Sequence, residues 1–393
     1  MAQLHYDEPL RFGLFLAPFH SAKLDPTYAF ERDLLLAEHL DRIGFDELWF
    51  GEHHSGAMEM IAAPELMVAA AAQRTKYIRL GTGVKSLPFH NPFMLAEAMA
   101  QLDHMTRGRA MFGVGPGALP TDVHMLGIEM KDIRHRMDES LDTIVALMKG
   151  ETVTLKTEWY HLREARLHVG CYRKPMMELA VTSVRSPAGV AAAGRHGLGV
   201  LTLGPTTDAA LLHHVENWGI HEAECKKHGH VADRAKWRVT LVMHIAETRA
   251  QAFADTEFGF PEWIDYTHDV IPAVAAFPRG VPNPAQFCND HQLGIIGTPD
   301  DAIREIERIR NTLGGMGAVL VFGNDLAPWP AQRRSFELLA EFVKPHFSKV
   351  NAARRASYQW AAENQNENRQ KGQSAVAAAT EEFARRQASG RGD

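Results

Sequence analysis

The segment RFGLFL at residues 11–16 is short and strongly apolar, and three segments of the same kind follow it along the chain. They are ELWF at 47–50, IRLGTGV at 78–84 and AMFGV at 110–114. Apolar runs of this length are typical of strands that are buried on both faces. The interval between each pair leaves room for one helix, so the first third of the chain predicts parallel strands joined by crossover helices.

The segments between these four strands contain residues that are typical of helix starts and helix ends. Asp25 is an N-cap residue followed by Pro26 at the first helical position, and the apolar stripe after it stops at Gly44. Further helices are predicted over residues 64–74 and 92–106. The first third of the chain therefore predicts three strand–helix units in succession.

Four further strand candidates in the rest of the chain bring the number of predicted barrel strands to eight. They lie at residues 178–181, 199–202, 237–245 and 318–322, after an antiparallel excursion at 152–169. Eight strands close a (β/α)8 barrel, whereas a doubly wound open sheet usually has five or six. We therefore predict the α/β class and a TIM barrel with insertions over residues 1–347.

Two segments depart from the barrel pattern. Residues 258–297 contain five prolines among apolar and aromatic residues, and we predict an insertion loop there that acts as a lid. Residues 348–393 are polar, with a few aromatic residues. We predict a partly helical C-terminal tail, which either docks on a neighbour or on the barrel, or is a frayed appendage.

Charge, cysteine count and apolar content limit which partners and which cellular compartment are expected for this protein. The chain has 42 basic and 48 acidic side chains, a net charge of −6, which disfavours a nucleic-acid partner. Its three cysteines are widely spaced, which gives neither a disulfide framework nor a CxxC metal site. No apolar run approaches the length of a membrane span, and the N-terminal segment does not resemble a secretory signal. We predict a cytoplasmic protein with no membrane partner, assembled as a homodimer or larger homo-oligomer.

The second strand ends in Glu52-His53-His54. In a barrel of this type, the carboxyl ends of the strands build the active site. Histidine is the side chain that most readily exchanges protons near neutral pH, and a carboxylate can fix the tautomer of a neighbouring ring. An isolated histidine here could equally bond the backbone, but the cluster of three favours a catalytic role for His53, Glu52 and His54.

Glycines surround two other strand ends. Thr82, Gly83 and Val84 end the third strand, where a flat ligand can lie against bare backbone. A tight turn where the chain leaves the strand would explain the glycines equally well. The sequence GVGPG at 113–117 lacks the spacing of a dinucleotide fingerprint, and its proline argues against a helix that begins directly. We exclude a nicotinamide-binding domain of that kind.

A phosphate site is predicted after the fifth strand. Ser183 and Ser186 stand beside Pro187, where a helix begins, and free N–H groups at a helix start bind anions. Arg134 could add a guanidinium. Plain N-capping by Ser186 and a solvated Arg134 are the alternatives. We predict no metal site, because the side chains of His53 and His54 would point to opposite sides of an extended chain, which disfavours the metal-dependent hydrolase that is the best non-redox alternative.

Taken together, these segments resemble the bacterial luciferase-like flavin monooxygenases, in order, over residues 10–345. The resemblance is carried by Arg11-Phe12-Gly13-Leu14-Phe15, Gly44-Phe45-Asp46, Glu52-His53-His54, Gly81-Thr82-Gly83-Val84, Leu87-Pro88, Leu102-Asp103-His104, Gly108-Arg109, Arg134, Ser186-Pro187 and Gly297-Thr298-Pro299. Glu52-His53-His54, Pro187 and the long tail look closest to the limonene monooxygenase-like branch.

This resemblance implies an enzyme that receives reduced FMN or FAD from a separate NAD(P)H-dependent flavin reductase. With O2 as cosubstrate, it would insert one oxygen atom into a small hydrophobic substrate such as a terpene or a ketone. It further implies that His53 takes part in oxygen activation and that a cis peptide bond lies at Gly83–Val84. By the same resemblance, the flavin lies at the third strand exit, with its phosphate by Arg134, Ser183 and Ser186. Luciferase itself has an arginine where this chain has Pro116, so FMN and FAD both stay open.

Two other functions stay open. Relatives within the same superfamily use a deazaflavin to transfer hydride without oxygen, and a flavin-binding subunit without turnover is a third class. A hydrophobic substrate is also suggested by apolar residues near the strand exits, namely Phe15, Phe19, Leu87, Phe89 and Trp263.

Overall fold

The computed structural model describes residues 9–117, 119–184 and 186–389, apart from the side chains of Pro18 and Ala273. Within it the chain divides into two compact units, Met1–Ser348 and Lys349–Asp393. The first unit carries every strand in the described part of the chain.

A closed ring of eight parallel strands forms the centre of the first unit, which confirms the predicted TIM barrel. The strands are β1 (Arg11–Phe19), β2 (Glu47–Phe50), β3 (Arg79–Ser86), β4 (Ala110–Gly115), β5 (Val153–Lys156), β6 (His161–Ala165), β7 (Glu178–Ser183), β8 (Gly199–Thr202), β9 (Trp237–Ile245), β10 (Gly294–Gly297) and β11 (Ala318–Asn324). The ring runs β1-β2-β3-β4-β7-β8-β9-β11 and returns to β1, while β5 and β6 form the antiparallel excursion. All eight predicted strands are present.

Helices connect the strands. They are α1 (Pro26–Arg42), α2 (Pro64–Arg74), α3 (Pro92–Met105), α4 (Pro120–Met125), α5 (Ile133–Met148), α6 (Ala188–His196), α7 (Asp208–Lys227), α8 (Arg249–Thr256), α9 (Phe260–Asp269), α10 (Pro284–Asp290), α11 (Pro299–Leu313), α12 (Trp329–Leu338), α13 (Lys344–Ser348), α14 (Ala352–Glu363) and α15 (Gln365–Ser389). The Asp25 carboxylate accepts from the Tyr28 N–H, as expected of an N-cap residue. In the described residues, none of these helices has the length and apolar content of a membrane span.

The predicted loop at 258–297 is wrong in its secondary structure. The segment contains α9, a short 3-10 turn at Pro272–Val274, α10 and the strand β10, which pairs with the second half of β9. Pro261 and Pro284 lie in the first turns of α9 and α10, where proline is tolerated because that N–H has no partner within the helix. Prolines that suggested a loop therefore begin helices.

The second unit consists of α14 and α15, and every residue of both helices is exposed. It is more helical than the expected partly helical tail. Tyr358, Trp360 and Phe383 are among its exposed side chains.

An ion-pair network fills the interior of the barrel at the amino ends of the strands. Arg238 Nε lies 2.7 Å from Glu47 Oε2, and its Nη2 lies 2.6 Å from Glu178 Oε1. Trp49 Nε1 donates to the same Glu47 carboxylate at 3.0 Å. Glu47 and Arg238 are fully buried, so this network closes the end of the barrel opposite to the strand exits.

The start of α11 offers a test of local stability. Thr298 accepts from the Asp301 N–H, and the Asp301 carboxylate accepts from the Thr298 N–H in return. We expect Thr298→Ala to lower the free energy of unfolding by about 1 kcal/mol in urea denaturation, because the cap is lost. Thr298→Ser keeps the hydroxyl and serves as the control; an equal loss in both variants would contradict the capping role.

Candidate active site

The three residues that follow β2 lie at the mouth of the barrel, where the strands end. The main chain there is tied to its surroundings, since the Gly51 N–H donates to the Leu16 carbonyl at 2.9 Å and the His53 N–H donates to the Ile61 carbonyl at 3.0 Å. The structure thus brings Glu52, His53 and His54 to the predicted end of the barrel. Their side chains enter two separate sets of contacts.

His53 lies between two carboxylates. Its Nε2 is 3.3 Å from Glu59 Oε2 and its Nδ1 is 3.4 Å from Asp122 Oδ2. Burial disfavours the charged ring, but Glu59 and Asp122 outweigh that effect and raise the pKa of His53 above its usual value. The side chain keeps 18% exposure, so the ring still reaches the mouth.

Asp122, in α4, holds the loop after β2. Its Oδ1 accepts from the His54 N–H at 3.1 Å and from the Ser55 hydroxyl, while Oδ2 faces His53. Burial opposes ionisation, but the bonds from His53 and Ser55 outweigh it and lower the pKa of Asp122. The carboxylate therefore stays charged beside the imidazole.

Glu52 points away from His53. Its Oε2 accepts from the Ser86 N–H, and its Oε1 lies 2.7 Å from both His90 Nε2 and Lys85 Nζ. Burial would raise the pKa of Glu52, but the imidazoles of His54 and His90 and the Lys85 ammonium outweigh it and hold the pKa well below its usual range. Glu52 is a buried anion that ties the β2 exit to the β3 exit, and the ring that it contacts within hydrogen-bond distance is that of His90.

His54 stands in the same cluster. Its Nε2 is 3.6 Å from Glu52 Oε1, and among the described residues this buried nitrogen has no hydrogen-bond partner. Ligand atoms of Glu52, His54 and His90 lie within 4.8 Å of one another, close enough for a metal ion. The Lys85 ammonium, however, contacts the same carboxylate oxygen, so a positive charge already lies where a cation would bind.

The residues at the end of β3 form an apolar surface at the mouth of the barrel. The Gly83–Val84 peptide is cis, as the resemblance implied. A Cβ on Gly83 would lie 2.8 Å from Trp49 Cβ and 2.9 Å from Phe15 Cε2, so only glycine fits. Val84 is half-buried against the inner core of the barrel, as are two further apolar side chains, Leu203 and Phe322.

The hydroxyl of Thr82 is engaged by the neighbouring strand. Its side chain is fully buried, and the hydroxyl donates to the Gly113 carbonyl at 2.8 Å. The contact of Thr82 with the cofactor stays a prediction, and this hydroxyl hydrogen is not free to make it. Phe15, Phe19 and Leu87 are likewise buried in the core, which leaves Phe89 and Trp263 as the half-buried members of the suggested apolar set.

Of the three predicted phosphate contacts, Arg134 and Ser186 lie where helices begin, and Ser183 lies at the end of a strand. Arg134 is exposed in the first turn of α5 and has no ion-pair partner among the described residues. Ser183 is buried at the end of β7. The Ser186 hydroxyl accepts from the Ala188 N–H at 3.2 Å, but the helix begins one residue later than expected, so Pro187 rather than Ser186 is the N-cap residue and it has no side-chain cap bond.

Several residues of the site were missed by sequence reasoning. Glu59 and Asp122 lie in the connections after β2 and β4, and Lys85 and His90 lie at the exit of β3. Each follows a barrel strand closely, which is the one signal that could have drawn attention to them. Their partners become visible only when the ring of strands is closed.

Comparison with known proteins decides the family. The family model described as luciferase-like monooxygenase matches residues 10–315. The chain belongs to the luciferase-like monooxygenase family. It is thus a flavin-dependent monooxygenase, as the resemblance implied.

Relatives of this luciferase-like monooxygenase agree with that assignment. Limonene 1,2-monooxygenase of Rhodococcus erythropolis is 45% identical over 337 residues, which cover 86% of this chain and 86% of the relative. The 4-hydroxyprotoasukamycin monooxygenase of Streptomyces nodosus subsp. asukaensis is 41% identical over 363 residues, 91% of this chain and 97% of the relative.

A solved structure shares the fold. It is the oxygenating constituent of the Pseudomonas putida 3,6-diketocamphane monooxygenase, a type II Baeyer–Villiger monooxygenase in complex with FMN. The TM-score is 0.72 at 24% sequence identity, over 86% of this chain and 98% of that one.

The residues of the luciferase-like monooxygenase site fit a flavin. The half-buried Val84 gives an apolar surface suited to a flat ring, and the Arg134 guanidinium, which has no ion-pair partner among the described residues, suits a phosphate. Within the described part of the chain, the buried His54 Nε2 lies 3.6 Å from Glu52 Oε1 and makes no hydrogen bond, which leaves one more polar atom beside the same mouth. This donor set matches a large apolar ring that carries an anionic group.

Proposed function

We propose that this protein is the cytoplasmic oxygenating component of a two-component flavin monooxygenase. It receives reduced FMN or FAD from a separate NAD(P)H-dependent flavin reductase, takes O2 as cosubstrate and inserts one oxygen atom into a small hydrophobic terpene or ketone. The observation that carries this proposal is the His53 ring held between Glu59 and Asp122 at the barrel mouth. The 45% identity with limonene 1,2-monooxygenase supports the terpene class.

Different residues of this chain bind the flavin, transfer the proton and exclude water. The reduced flavin, when bound, supplies the electrons that activate O2. Arg134, Ser183 and Ser186 hold the phosphate, and Val84 supports the ring. His53 holds a proton at Nδ1, facing Asp122, or at Nε2, facing Glu59, and releases it beside the reacting atoms. The segment 258–297 excludes water from them.

Product analysis tests the proposal. The purified protein is mixed with a generic flavin reductase, NADH, FMN or FAD, and a panel of terpenes and bicyclic ketones under 18O2. We expect a product that carries one 18O atom, with FMN and FAD ranked by rate. Sedimentation of the same preparation tests the expected homodimer or larger assembly.

The same assay, repeated without oxygen and with a deazaflavin, separates the two alternatives. A deazaflavin enzyme would reduce or oxidise the substrate in that repeat and would incorporate no 18O under 18O2. A non-catalytic subunit would bind flavin, measured by fluorescence, and give no product with any substrate or cofactor. Either result would replace the oxygenase proposal.

Arg134→Ala tests the phosphate contact. We expect the Kd for FMN to rise about tenfold or more, because a charge-assisted bond to the phosphate is lost. The Kd for riboflavin, which has no phosphate, is expected to stay unchanged. Arg74→Ala is the control, since Arg74 ends α2 and therefore lies at the opposite rim of the barrel. Equal weakening of FMN and riboflavin binding would contradict the assignment.

A further inference from the structure

A buried tyrosine of the insertion reaches the carboxylate that faces His53. The hydroxyl of Tyr266, in α9, donates to Glu59 Oε2 at 3.1 Å, and the same oxygen lies 3.3 Å from His53 Nε2. On the other side of the ring, Nδ1 faces Asp122. Four side chains thus form one continuous chain from the insertion to the floor of the mouth.

This chain is built into the fold. Glu59 pairs with Phe19 in an isolated antiparallel bridge, and the Phe19 ring packs edge-on against Tyr266 with centroids 5.0 Å apart. Gly56, at φ +81°, lies under the tyrosine, where a Cβ would stand 2.9 Å from its hydroxyl oxygen. At the start of α9, the Ser21 hydroxyl donates to Glu262 at 2.8 Å. Helix α9 is therefore fixed both to the end of β1 and the loop after it and to the loop after β2.

The shared oxygen couples the two contacts. When the Tyr266 hydroxyl is in place, the Glu59 carboxylate is held in one orientation, and that orientation presents Oε2 to His53. Without the tyrosine, Glu59 keeps its charge beside the ring but loses the donor that fixes the orientation of Oε2, so the plane of the imidazole is held less firmly. The position of α9 therefore determines how His53 is held.

We propose that Glu59, held by the Tyr266 hydroxyl, is a positioning residue for His53, so that oxygenation requires α9 to be seated on the mouth of the barrel. The inference rests on the proposed function of His53. It gives the insertion a role beyond the exclusion of water, because a displaced α9 leaves the histidine without its orienting partner.

The groups that face His53 set the direction of the test. Glu59 from the loop after β2 and Asp122 from α4 contact the ring, Glu52 at the β2 exit acts on it through its charge alone, and Tyr266 acts through Glu59. A carboxylate this close stabilises the imidazolium, so Glu59→Gln lowers the pKa of His53. Tyr266→Phe removes a donor that competes for Glu59 Oε2, which strengthens the contact of that oxygen with the imidazolium and raises the pKa of His53.

The experiment measures both variants in two ways. The first is the pH profile of kcat, measured with the best substrate of the panel and the reductase. We expect kcat to fall about tenfold to a hundredfold in both variants. The part of the profile that reports the ionisation of His53 is expected to move in opposite directions in the two variants. The second is an NMR titration of the His53 imidazole in the flavin-free protein, assigned by its loss in His53→Gln, which needs no turnover.

The control is Asp265→Asn, an exposed carboxylate on the same helix that pairs with Arg279, and it is expected to leave kcat and the profile unchanged. Thermal unfolding checks that each variant is folded. A wild-type rate and an unmoved His53 titration in both folded variants would overturn the inference while leaving the oxygenase proposal intact. Absence of product from the wild-type enzyme would instead overturn the oxygenase proposal, and the NMR titration would still decide whether Glu59 and Tyr266 act on the ring.

Discussion

Replacing His53 by glutamine is expected to lower the rate of substrate oxygenation by about a hundredfold or more. Glutamine keeps hydrogen-bonding atoms but cannot take up a proton, whereas the native ring lies between Glu59 and Asp122 with a raised pKa. The measurement is the rate of 18O-labelled product per enzyme, alongside the rate of NADH consumption. We expect NADH consumption to continue, because the reductase is a separate protein, so that the ratio of product to NADH falls sharply.

His168→Gln is the matched control, since that imidazole is 82% exposed and pairs only loosely with Glu97 at 3.8 Å. Its rate should equal that of the wild type. Flavin affinity should also be similar in His53→Gln and the wild type, which separates proton handling from binding. A His53 variant that keeps the native product-to-NADH ratio would show that the imidazole is not needed.

Replacing Arg238 by methionine is expected to lower the free energy of unfolding by about 3–5 kcal/mol, because the fully buried Glu47 and the half-buried Glu178 would lose their central partner. Methionine approximates the length of the side chain, so the loss reports charge rather than volume. Urea denaturation at neutral pH, followed by far-UV circular dichroism, measures it. The exposed pair Arg334–Glu247 provides the control, and Arg334→Met should cost no more than about 1 kcal/mol.

The same network predicts acid sensitivity. Burial would raise the pKa of Glu47, but Arg238, together with Arg11 and Arg79, lowers it from 4.5 to about 2. Because the pKa in the folded state lies below that in the unfolded state, this contribution to stability is present above about pH 4.5 and is lost as the pH falls toward 2. A stability curve for Arg238→Met that runs parallel to the wild-type curve through this range would argue against the network.

The barrel could be predicted from the sequence because its signals are local. Each ring strand is a short apolar run, and caps such as Asp25 and Thr298 mark helix starts within a few residues. The strand β10 could not be predicted, because its four residues include only two apolar side chains, Ile295 and Ile296. Two apolar residues are too few to reveal the alternation that is typical of a strand. Helices α9 and α10 escaped because their prolines indicate a loop and a helix start equally well.

The site was only partly predictable, since its chemistry depends on contacts between distant segments. The position of His53 at a strand exit follows from the fold, but its partner Asp122 is 69 residues away in sequence and Tyr266 is 207 residues from Glu59. For Thr82, the pattern could not show whether the hydroxyl faces a ligand or the adjacent strand. Arg134 and Ser186 lie at helix starts beside the mouth as expected, and their contact with a phosphate stays a prediction.

The pairing that closes the ring joins β1, near the start of the chain, to β11, near residue 320. During translation, β1 therefore leaves the ribosome long before its second neighbour has been made. Until then the nascent sheet carries two open edges, which are prone to pair with other chains. The growing polypeptide should for this reason depend on a chaperone until β11 emerges, even though the finished barrel has no free edge in its ring.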